Sequence, residues 1–208
     1  MPKKESPLAA LSSFLPEGSF EEVARYLQHY KVHLTISKER QTILGNYRNK
    51  VIDKNHRISV NGNLNKYSFL ITLLHELAHL LAHEKYGHRI LAHGKQWKDE
   101  YGKILSEFIP KKIFPAEIEK LLVLSLNNPA ATTCSEPHLT RALKKFDIKK
   151  ENYFFVEELP EGSLFKIKNG TIFKKGERIR KRFKCMEVAT KKLYLFSPVY
   201  EVMQITPL

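Results

Sequence analysis

The stretch from His75 to Trp97, HELAHLLAHEKYGHRILAHGKQW, contains five of the nine histidines of this 208-residue chain. His75 and His79 are four residues apart, so on a helix they lie on one face, about 6 Å apart along the axis. Two imidazoles placed in this way can bind one metal ion. Glu76 lies about 100° further round the helix, where its carboxylate can reach a water on that ion without being a ligand itself.

The segment that carries these residues is predicted to be a buried helix. From Lys66 to Glu84 the sequence is apolar on almost every side of a helix, which is typical of a core element. An unpaired carboxylate inside a core costs several kcal/mol, and a metal would supply the missing partner. The His-Glu-x-x-His spacing is that of zinc proteases. The alternative is a purely structural helix whose two histidines and glutamate bond to neighbouring strands.

A catalytic zinc site needs three protein ligands and one open position, so a third ligand must exist. Three histidines compete. His83 lies about 12 Å of helix rise from His75, too far to share an ion held at about 2.1 Å by each nitrogen. His88 could reach the site only if the helix ended early. His93 directly precedes Gly94 and the next predicted helix, which would hold it in place, so we favour His93.

The charge of the chain favours a polyanionic partner. Lys and Arg number 35 against 22 Asp and Glu, which gives a formal net charge of +13. Most of that excess is local, because residues 166–192 contain 11 Lys and Arg but only two Glu. Such clustering suits nucleic acid, whereas its simplest alternative is a solvated face that keeps the protein soluble.

The remaining global features favour a cytoplasmic location. The two cysteines, Cys134 and Cys185, make neither a disulfide framework nor a cysteine-rich zinc module and indicate a reducing compartment. The N-terminal residues are a poor signal peptide because their apolar run is interrupted. The longest apolar segment, Phe69–Ala82, is shorter than the roughly 20 residues that cross a bilayer.

Periodicity predicts helices around a small sheet, followed by a β unit. Helices are expected at about 19–30, 66–84, 94–108, 115–124 and 137–146, and three short strands between the first two, with turns near Lys38 and Lys54. After about residue 160, alternating segments predict an antiparallel unit with a type I′ turn at Asn169-Gly170. Read as one strand, ERIRKRFKCMEV places Arg178, Arg180, Arg182 and Lys184 on one cationic face, our candidate nucleic-acid-binding residues.

The sequence resembles the SprT-like metalloproteases. The likeness rests on HELAH, on the 14-residue step from His79 to the His93-Gly94 pair, on HGKQWK, and on TILGNYR and RISVNGNLNKYSFLITLL upstream. It covers about residues 19–108. The resemblance implies an α+β, zincin-like domain in which helices pack on a three-stranded sheet. It also implies His75, His79 and His93 as the ligands of one Zn²⁺ and Glu76 as the general base.

The resemblance also suggests how the chain divides and where it departs from relatives. We expect a flexible N-terminal tail at 1–18, the metalloprotease domain at 19–125, a helical linker at 126–160 and the basic antiparallel β unit at 161–208. Many relatives carry a four-cysteine zinc ribbon after the protease domain, but here only Cys185 lies in that region. The family acts on DNA-bound proteins and DNA-protein crosslinks, and the cationic strand would fit that role.

These observations favour a zinc metallopeptidase that hydrolyses DNA-associated proteins. In this mechanism Glu76 takes a proton from the attacking water and returns it to the leaving amine. Tyr67, Tyr86 and Tyr101 are candidates for assisting at the oxyanion by chemistry alone. One alternative is a basic nucleic-acid-binding module with a structural or vestigial zinc. The other is a cytoplasmic peptidase that is not linked to DNA and whose C-terminal strands bind an acidic protein.

Overall fold

The computed structural model describes residues 7–40, 42–50, 55–126 and 136–205. These residues form a mixed α+β protein with two sheets. The chain divides into two compact units, Met1–Asp147 and Ile148–Leu208. The predicted turn near Lys54 and the cysteine Cys134 lie outside the described residues. None of the described helices is long and apolar enough to cross a membrane.

The first unit packs helices on a three-stranded sheet, and apart from its two 3-10 segments its elements agree with those predicted. They are a 3-10 helix at Leu8–Phe14, α1 at Phe20–His29, β1 at His33–Ser37, β2 at Gly45–Arg48, β3 at Arg57–Asn61, α2 at Lys66–Tyr86, α3 at Lys95–Phe108, a 3-10 turn at Ile109–Lys111, α4 at Ala116–Ser125 and α5 at Pro137–Lys144. The strand order is β1-β3-β2, with β1 parallel and β2 antiparallel to β3. Strand β2 is therefore an edge strand, and α2 packs against both β2 and β3.

Helix α2 is the centre of the first unit. Thirteen of its 21 residues are buried, and they include His75 and Glu76 among leucines and Phe69. The Asn65 side chain caps the helix by accepting a hydrogen bond from the Ser68 N–H at 2.9 Å. The helix ends at Gly87, whose φ of 78° is open to glycine and strained for other residues. Because α2 packs on all sides, its polar residues have fixed positions inside the core.

The predicted N-terminal tail is wrong where the structure describes it. Residues 8–14 form a 3-10 helix, and Leu11 and Leu15 are 4% and 1% exposed within the main apolar core. The short apolar run has no regular spacing from which this packing could be predicted. Ser12 and Ser13, which interrupt it, lie within the 3-10 helix, and Leu11 and Leu15 face inward.

The predicted helical linker at 126–160 is also divided differently. Helix α5 buries Leu139, Ala142 and Leu143 in the core of the first unit, and the Leu143 carbonyl accepts a hydrogen bond from the Asn65 side chain at 3.1 Å. The second unit starts at Ile148, and Tyr153–Phe155 is already a strand of its sheet. The segment therefore completes two cores instead of separating them.

The second unit is a six-stranded antiparallel sheet. Its strands are β4 at Tyr153–Phe155, β5 at Leu164–Lys166, β6 at Ile172–Ile179, β7 at Arg182–Glu187, β8 at Leu193–Phe196 and β9 at Glu201–Ile205, with a 3-10 turn at Val156–Glu158. The order is β4-β9-β5-β6-β7-β8. Its small core contains Phe165, Phe173, Cys185 and Phe196, so aromatic packing supplies most of the buried apolar surface.

The side chain of Lys175 is a cation buried in this small core. Lys175 is only 5% exposed, and its ammonium donates to the main-chain carbonyls of Leu159 and Glu157. The same ammonium lies 4.2 Å from the centroid of the Phe183 ring. Burial lowers the pKa of Lys175. These contacts tie the turn before β5 to the middle of β6.

The turn at Asn169-Gly170 differs from the predicted type I′ turn. A type I′ turn needs positive φ at both central residues, whereas here only Gly170 has one, at 92°. The Gly170 N–H instead bonds the Ile167 carbonyl at 2.9 Å, and the Ile167 N–H bonds the Thr171 carbonyl at 3.1 Å. This pattern is a longer hairpin loop with glycine at its left-handed position.

The predicted single cationic strand is wrong, because the chain reverses within it. Strand β6 ends at Ile179 and β7 begins at Arg182, with a φ of 53° at Arg180 in the turn. Arg178 pairs with Phe183 and Ile179 with Arg182. Arg178 therefore shares a face with Phe183, whereas Arg182 and Lys184 lie on the opposite face. Alternation alone cannot distinguish one long strand from two strands joined by a two-residue turn.

Candidate metal centre

Three imidazoles converge where α2 meets the loop before α3. His75 and His79 lie on adjacent turns of α2. His93 directly precedes Gly94, the N-cap residue of α3. The Nε2 atom of His93 lies 3.2 Å from Nε2 of His75 and 3.1 Å from Nε2 of His79. Within the described parts of the chain, this is the single group of three possible ligand atoms within 4.8 Å of one another.

The chemistry of this cluster fits a bound metal. Burial lowers the pKa of His75 to about 3 and that of His79 to about 4, and burial also lowers the pKa of His93. The rings are therefore neutral at pH 7 and can offer lone pairs. A tetrahedral ion held at about 2.0–2.1 Å separates its nitrogens by about 3.3 Å, close to the spacing seen here. Zn²⁺ suits three such nitrogens.

The other two histidines of the motif region lie elsewhere. His83 turns towards Tyr47 and His56, with ring centroids 6.3 and 6.0 Å away. His88 is exposed in the loop between α2 and α3. The structure therefore brings His93, and neither of its two competitors, to His75 and His79.

Trp97 packs against all three imidazoles. Its ring is fully buried and lies 4.6, 5.3 and 4.8 Å from the rings of His75, His79 and His93. Tyr101 stacks on Trp97 with ring centroids 5.0 Å apart, and its ring also contacts that of His75, 5.7 Å away. This aromatic stack fixes the position of the rings by packing, which a histidine pattern alone does not reveal.

Glu76 is a buried carboxylate beside the cluster. It is 5% exposed, and burial raises its pKa to about 7, while the Arg40 charge and the Tyr47 main-chain N–H act in the opposite direction. A carboxylate with a pKa near neutrality can both accept and return a proton at pH 7. Glu76 lines the same cleft as the three imidazoles.

Gly45 in β2 allows the sheet edge to approach Glu76. A Cβ atom at residue 45 would lie 2.5 Å from Oε1 and 2.8 Å from Cγ of Glu76, and 2.7 Å from Cγ2 of Thr72. Any larger residue would displace the carboxylate or the strand. This role could not be predicted from the sequence, because a single glycine in a short strand forms no recognisable pattern.

Arg40 holds the segment that leads into β2 by several hydrogen bonds. This role of Arg40 could not be predicted from the sequence either. Its guanidinium donates to Asn61 Oδ1 at 2.8 Å, to Ser59 Oγ at 2.9 Å and to the Leu44 carbonyl at 3.3 Å. These bonds join the loop before β2 to strand β3. The guanidinium thereby places a positive charge near Glu76. No sequence motif predicts this proximity.

A cleft opens above the cluster, with the edge strand as one wall. Its lining consists of residues 42–47, the four residues His75, Glu76, His79 and His93, and Ala92 from the opposite loop. Ile43 is 43% exposed at its rim. An extended polypeptide could lie along β2 in this cleft, since an edge strand has main-chain groups available for pairing.

A polar network links Tyr47 through the buried His56 to Glu84 at the surface. The Tyr47 hydroxyl and His56 Nδ1 are 2.9 Å apart, and His56 Nε2 lies 3.3 Å from Glu84 Oε1. Lys50 pairs with Glu84 at 2.9 Å. The Tyr47 ring is parallel to that of His79, with centroids 6.4 Å apart. The network holds one wall of the cleft against α2.

The three tyrosines considered for the oxyanion have other surroundings. Tyr67 packs against Phe114 and Phe146, and Tyr86 bonds to Glu100 at 3.3 Å. Tyr101 is buried against Trp97 and His75. The tyrosine that lines the cleft is Tyr47, which periodicity had marked only as a strand residue.

Comparison with known proteins agrees with this geometry. Residues 17–117, which include the three histidines and Glu76, match the model of the SprT-like family. Neither the curated proteins nor the solved structures include a significant match to the chain. The chain therefore carries a SprT-like domain at residues 17–117.

Proposed function

We propose that this protein is a zinc-dependent metallopeptidase with one Zn²⁺ per chain, held by His75, His79 and His93. The observation that carries the proposal is the convergence of three neutral imidazole nitrogens beside a buried carboxylate in an open cleft. A structural metal site has no use for a base or for access to a substrate.

The residues of the cleft suggest a mechanism. Bound zinc supplies Lewis-acid chemistry, which lowers the pKa of water and polarises the peptide carbonyl. Glu76 Oε accepts the proton of the attacking water and then donates it to the leaving amine. Gly45 keeps the β2 main chain close to that carboxylate, and the Trp97 ring holds the imidazoles in register. The substrate chain would lie along the β2 edge.

The substrates we propose are DNA-associated proteins or DNA-protein crosslinks, acted on in the cytoplasm. Support comes from the SprT-like domain and from the local positive charge of the second unit. In the fold, Arg178, Arg180, Lys181 and Arg182 are all exposed around the tip of the β6–β7 hairpin. This arrangement replaces the cationic face that we predicted. A projecting tip of this charge can contact phosphates without reading base sequence.

Two other functions compete with this proposal. A nucleic-acid-binding module with a structural or vestigial zinc would not need a carboxylate in the cleft, so the surroundings of Glu76 argue against it. A cytoplasmic peptidase that is unrelated to DNA would use the same cleft, and its second unit would bind an acidic protein. A DNA-dependent readout separates that function from the one we propose.

The first prediction concerns the metal ligands. The purified protein should contain about one zinc per chain, and His93→Ala should lose most of it, since two ligands hold zinc far more weakly than three. His88→Ala is the matched control, because it removes an exposed histidine from the same loop. Elemental analysis after dialysis measures both. Loss of zinc from His88→Ala, with zinc retained by His93→Ala, would assign the third ligand to His88.

The second prediction separates proteolysis from metal binding. Glu76→Gln should retain zinc and the melting temperature but slow the cleavage of a denatured protein substrate by at least about 100-fold, because the amide accepts no proton. Glu21→Gln, which changes an exposed residue of α1 outside the cleft, should cleave at the wild-type rate. A Glu76→Gln preparation as active as wild type would exclude this residue as the base.

The third prediction concerns the close approach at Gly45. Gly45→Ala should retain zinc yet cut proteolysis about tenfold or more, because misplacing a catalytic group by 1 Å can cost up to about 100-fold. Gly62→Ala is a matched control, since its Cβ would be equally crowded, 2.7 Å from Ile36 Cγ2, away from the cleft. Equal rates for the two variants, with thermal unfolding compared in parallel, would show that Gly45 does not position Glu76.

The fourth prediction tests DNA at the hairpin tip. Changing Arg178, Arg180 and Arg182 together to Gln should weaken binding to mixed-sequence DNA. The slope of log affinity against log salt should flatten by up to about 0.9 per lost phosphate contact. Changing the exposed residues Lys38, Lys120 and Lys149 to Gln removes the same charge elsewhere and should have little effect. Unaltered DNA affinity in the arginine variant would favour the peptidase that is not linked to DNA.

A further inference from the structure

Two separate segments supply apolar side chains to the cleft of the first unit. Ile43 and Leu44 come from the segment that leads into β2, and Ala92 comes from the loop between α2 and α3. Ile43 is 43% exposed, and Ala92 is exposed as well. A polypeptide that entered the cleft would therefore meet apolar surface next to the three imidazoles and Glu76.

The same lining holds little charge. Among the described residues that form it, Glu76 is the one acidic side chain, and none is Lys or Arg. Burial lowers the pKa of each of the three histidines, so their rings are neutral at pH 7. The Arg40 charge acts on Glu76, but its guanidinium already donates to Asn61 and Ser59. The lining therefore offers a charged substrate side chain no free protein group of opposite charge.

These two features favour the same kind of substrate. An apolar side chain that packs on Ile43 and Ala92 is removed from water, which is favourable in proportion to the area buried. A Lys or Glu side chain in the same place loses hydration without gaining a partner. A single methylene group in a hydrophobic pocket can change kcat/KM by about 10-fold or more.

The distance along the chain from Ile43 to Glu76 sets where the selected side chain lies. A Cβ atom at Gly45 would be 2.5 Å from Oε1 of Glu76, so residue 45 lies directly against the carboxylate. Ile43 precedes Gly45 by two residues. An extended chain rises by about 3.3 Å per residue, so a substrate beside this segment meets Ile43 about two residues from the bond next to Glu76.

We propose that Ile43 and Ala92 make the cleft select polypeptide segments that carry an apolar side chain within two residues of the scissile bond. Ile43 is the specificity-determining residue, because it is the larger of the two exposed side chains. This inference rests on the proposed peptidase function and deepens it by naming the chemistry of the segments that the cleft accepts.

Exposed cations close to the lining in the sequence favour a different preference. Arg48 is the last residue of β2, and Arg89 and Lys95 stand on either side of Ala92 in the sequence. These side chains would attract acidic substrate residues, but none of the three lines the cleft. A preference for acidic residues is therefore the outcome from which the experiment must separate the proposal.

Peptide substrates that differ in one residue test the proposal. Each is a quenched fluorogenic peptide of Gly and Ser with a single Leu, Glu or Lys in the middle, and mass spectrometry identifies the cleaved bond. The Leu peptide should have a kcat/KM at least about tenfold above that of the other two, with cleavage within two residues of the Leu. Equal values for the three peptides would overturn the proposal. The highest value for the Glu peptide would also overturn it and assign the preference to the flanking cations.

A change of charge at residue 43 locates the preference. Ile43→Lys should make the Glu peptide the best substrate, and Ile43→Glu should make the Lys peptide the best, because each variant supplies an opposite charge. A variant that only disturbs the fold would slow all three peptides in proportion. An unchanged order of the peptides in both Ile43 variants would show that residue 43 does not select the substrate.

Ile36→Lys is the matched control for these variants. Ile36 is 38% exposed on β1, at the other edge of the same sheet, and it does not line the cleft. This variant should keep the wild-type order of the three peptides. Thermal unfolding and zinc content, measured for each variant, show that the fold and the metal site are retained.

Binding separates this inference from the proposed function. The zinc-loaded Glu76→Gln variant should bind a fluorescein-labelled Leu peptide at least about tenfold more tightly than the Glu or Lys peptide, as measured by anisotropy. Tighter binding of the Leu peptide, together with no cleavage by the wild type, would refute the peptidase and support the selectivity of the cleft. Equal binding of the three peptides, or no binding of any, together with no cleavage would overturn both.

Discussion

The structure of the first unit depends on placing a carboxylate and two imidazoles inside a helix that is buried in leucine and phenylalanine. A helix packed on all sides cannot rotate to expose His75 or Glu76, so their desolvation is permanent. That desolvation is the largest cause of the neutral histidines and of the raised pKa of Glu76. The features that make the site chemically useful therefore come from the packing that stabilises the fold.

Every other part of the site is arranged around that helix. Strand β2 can lie against Glu76 because residue 45 has no side chain. Helix α3 supplies Trp97 beneath the imidazoles, and the loop before it supplies His93. Arg40 and the Tyr47–His56–Glu84 network hold the strand from two sides. The cleft is thus open above the three imidazoles and held from several sides, as a preorganised site requires.

The second unit has a different constraint, because its roughly 60 residues must form a core without a long helix. Phenylalanines from β5, β6 and β8 pack face to edge, and Lys175 satisfies main-chain carbonyls that would otherwise lie next to apolar surface. The six-stranded sheet remains open at β8. Its exposed residues therefore differ in kind, with arginines at the hairpin tip and leucines beside lysines at the edge.

The sequence alone determined much of this protein. Local periodicity predicts the helical spacing of His75 and His79, the apolar character of α2 and the alternation of the three early strands. This periodicity is a property of neighbouring residues and does not depend on tertiary contacts. The position of His93 directly before a helix could also be read, because helix starts have local signals. The features that could not be predicted from the sequence depend on contacts between residues that are far apart in the chain.

Only the tertiary structure decided that Leu11 and Leu15 belong to the core, because two leucines in and directly after a short 3-10 helix show no regular spacing. The same holds for the reversal at Arg180, because the residue types alternate through the turn as they would in one strand. Only the strand pairing shows that Arg178 and Arg182 lie on opposite faces. Gly45, Arg40 and Tyr47 act through contacts with residues 21 to 32 positions away. Such contacts leave no regular spacing in the sequence, and the fold alone brings them together.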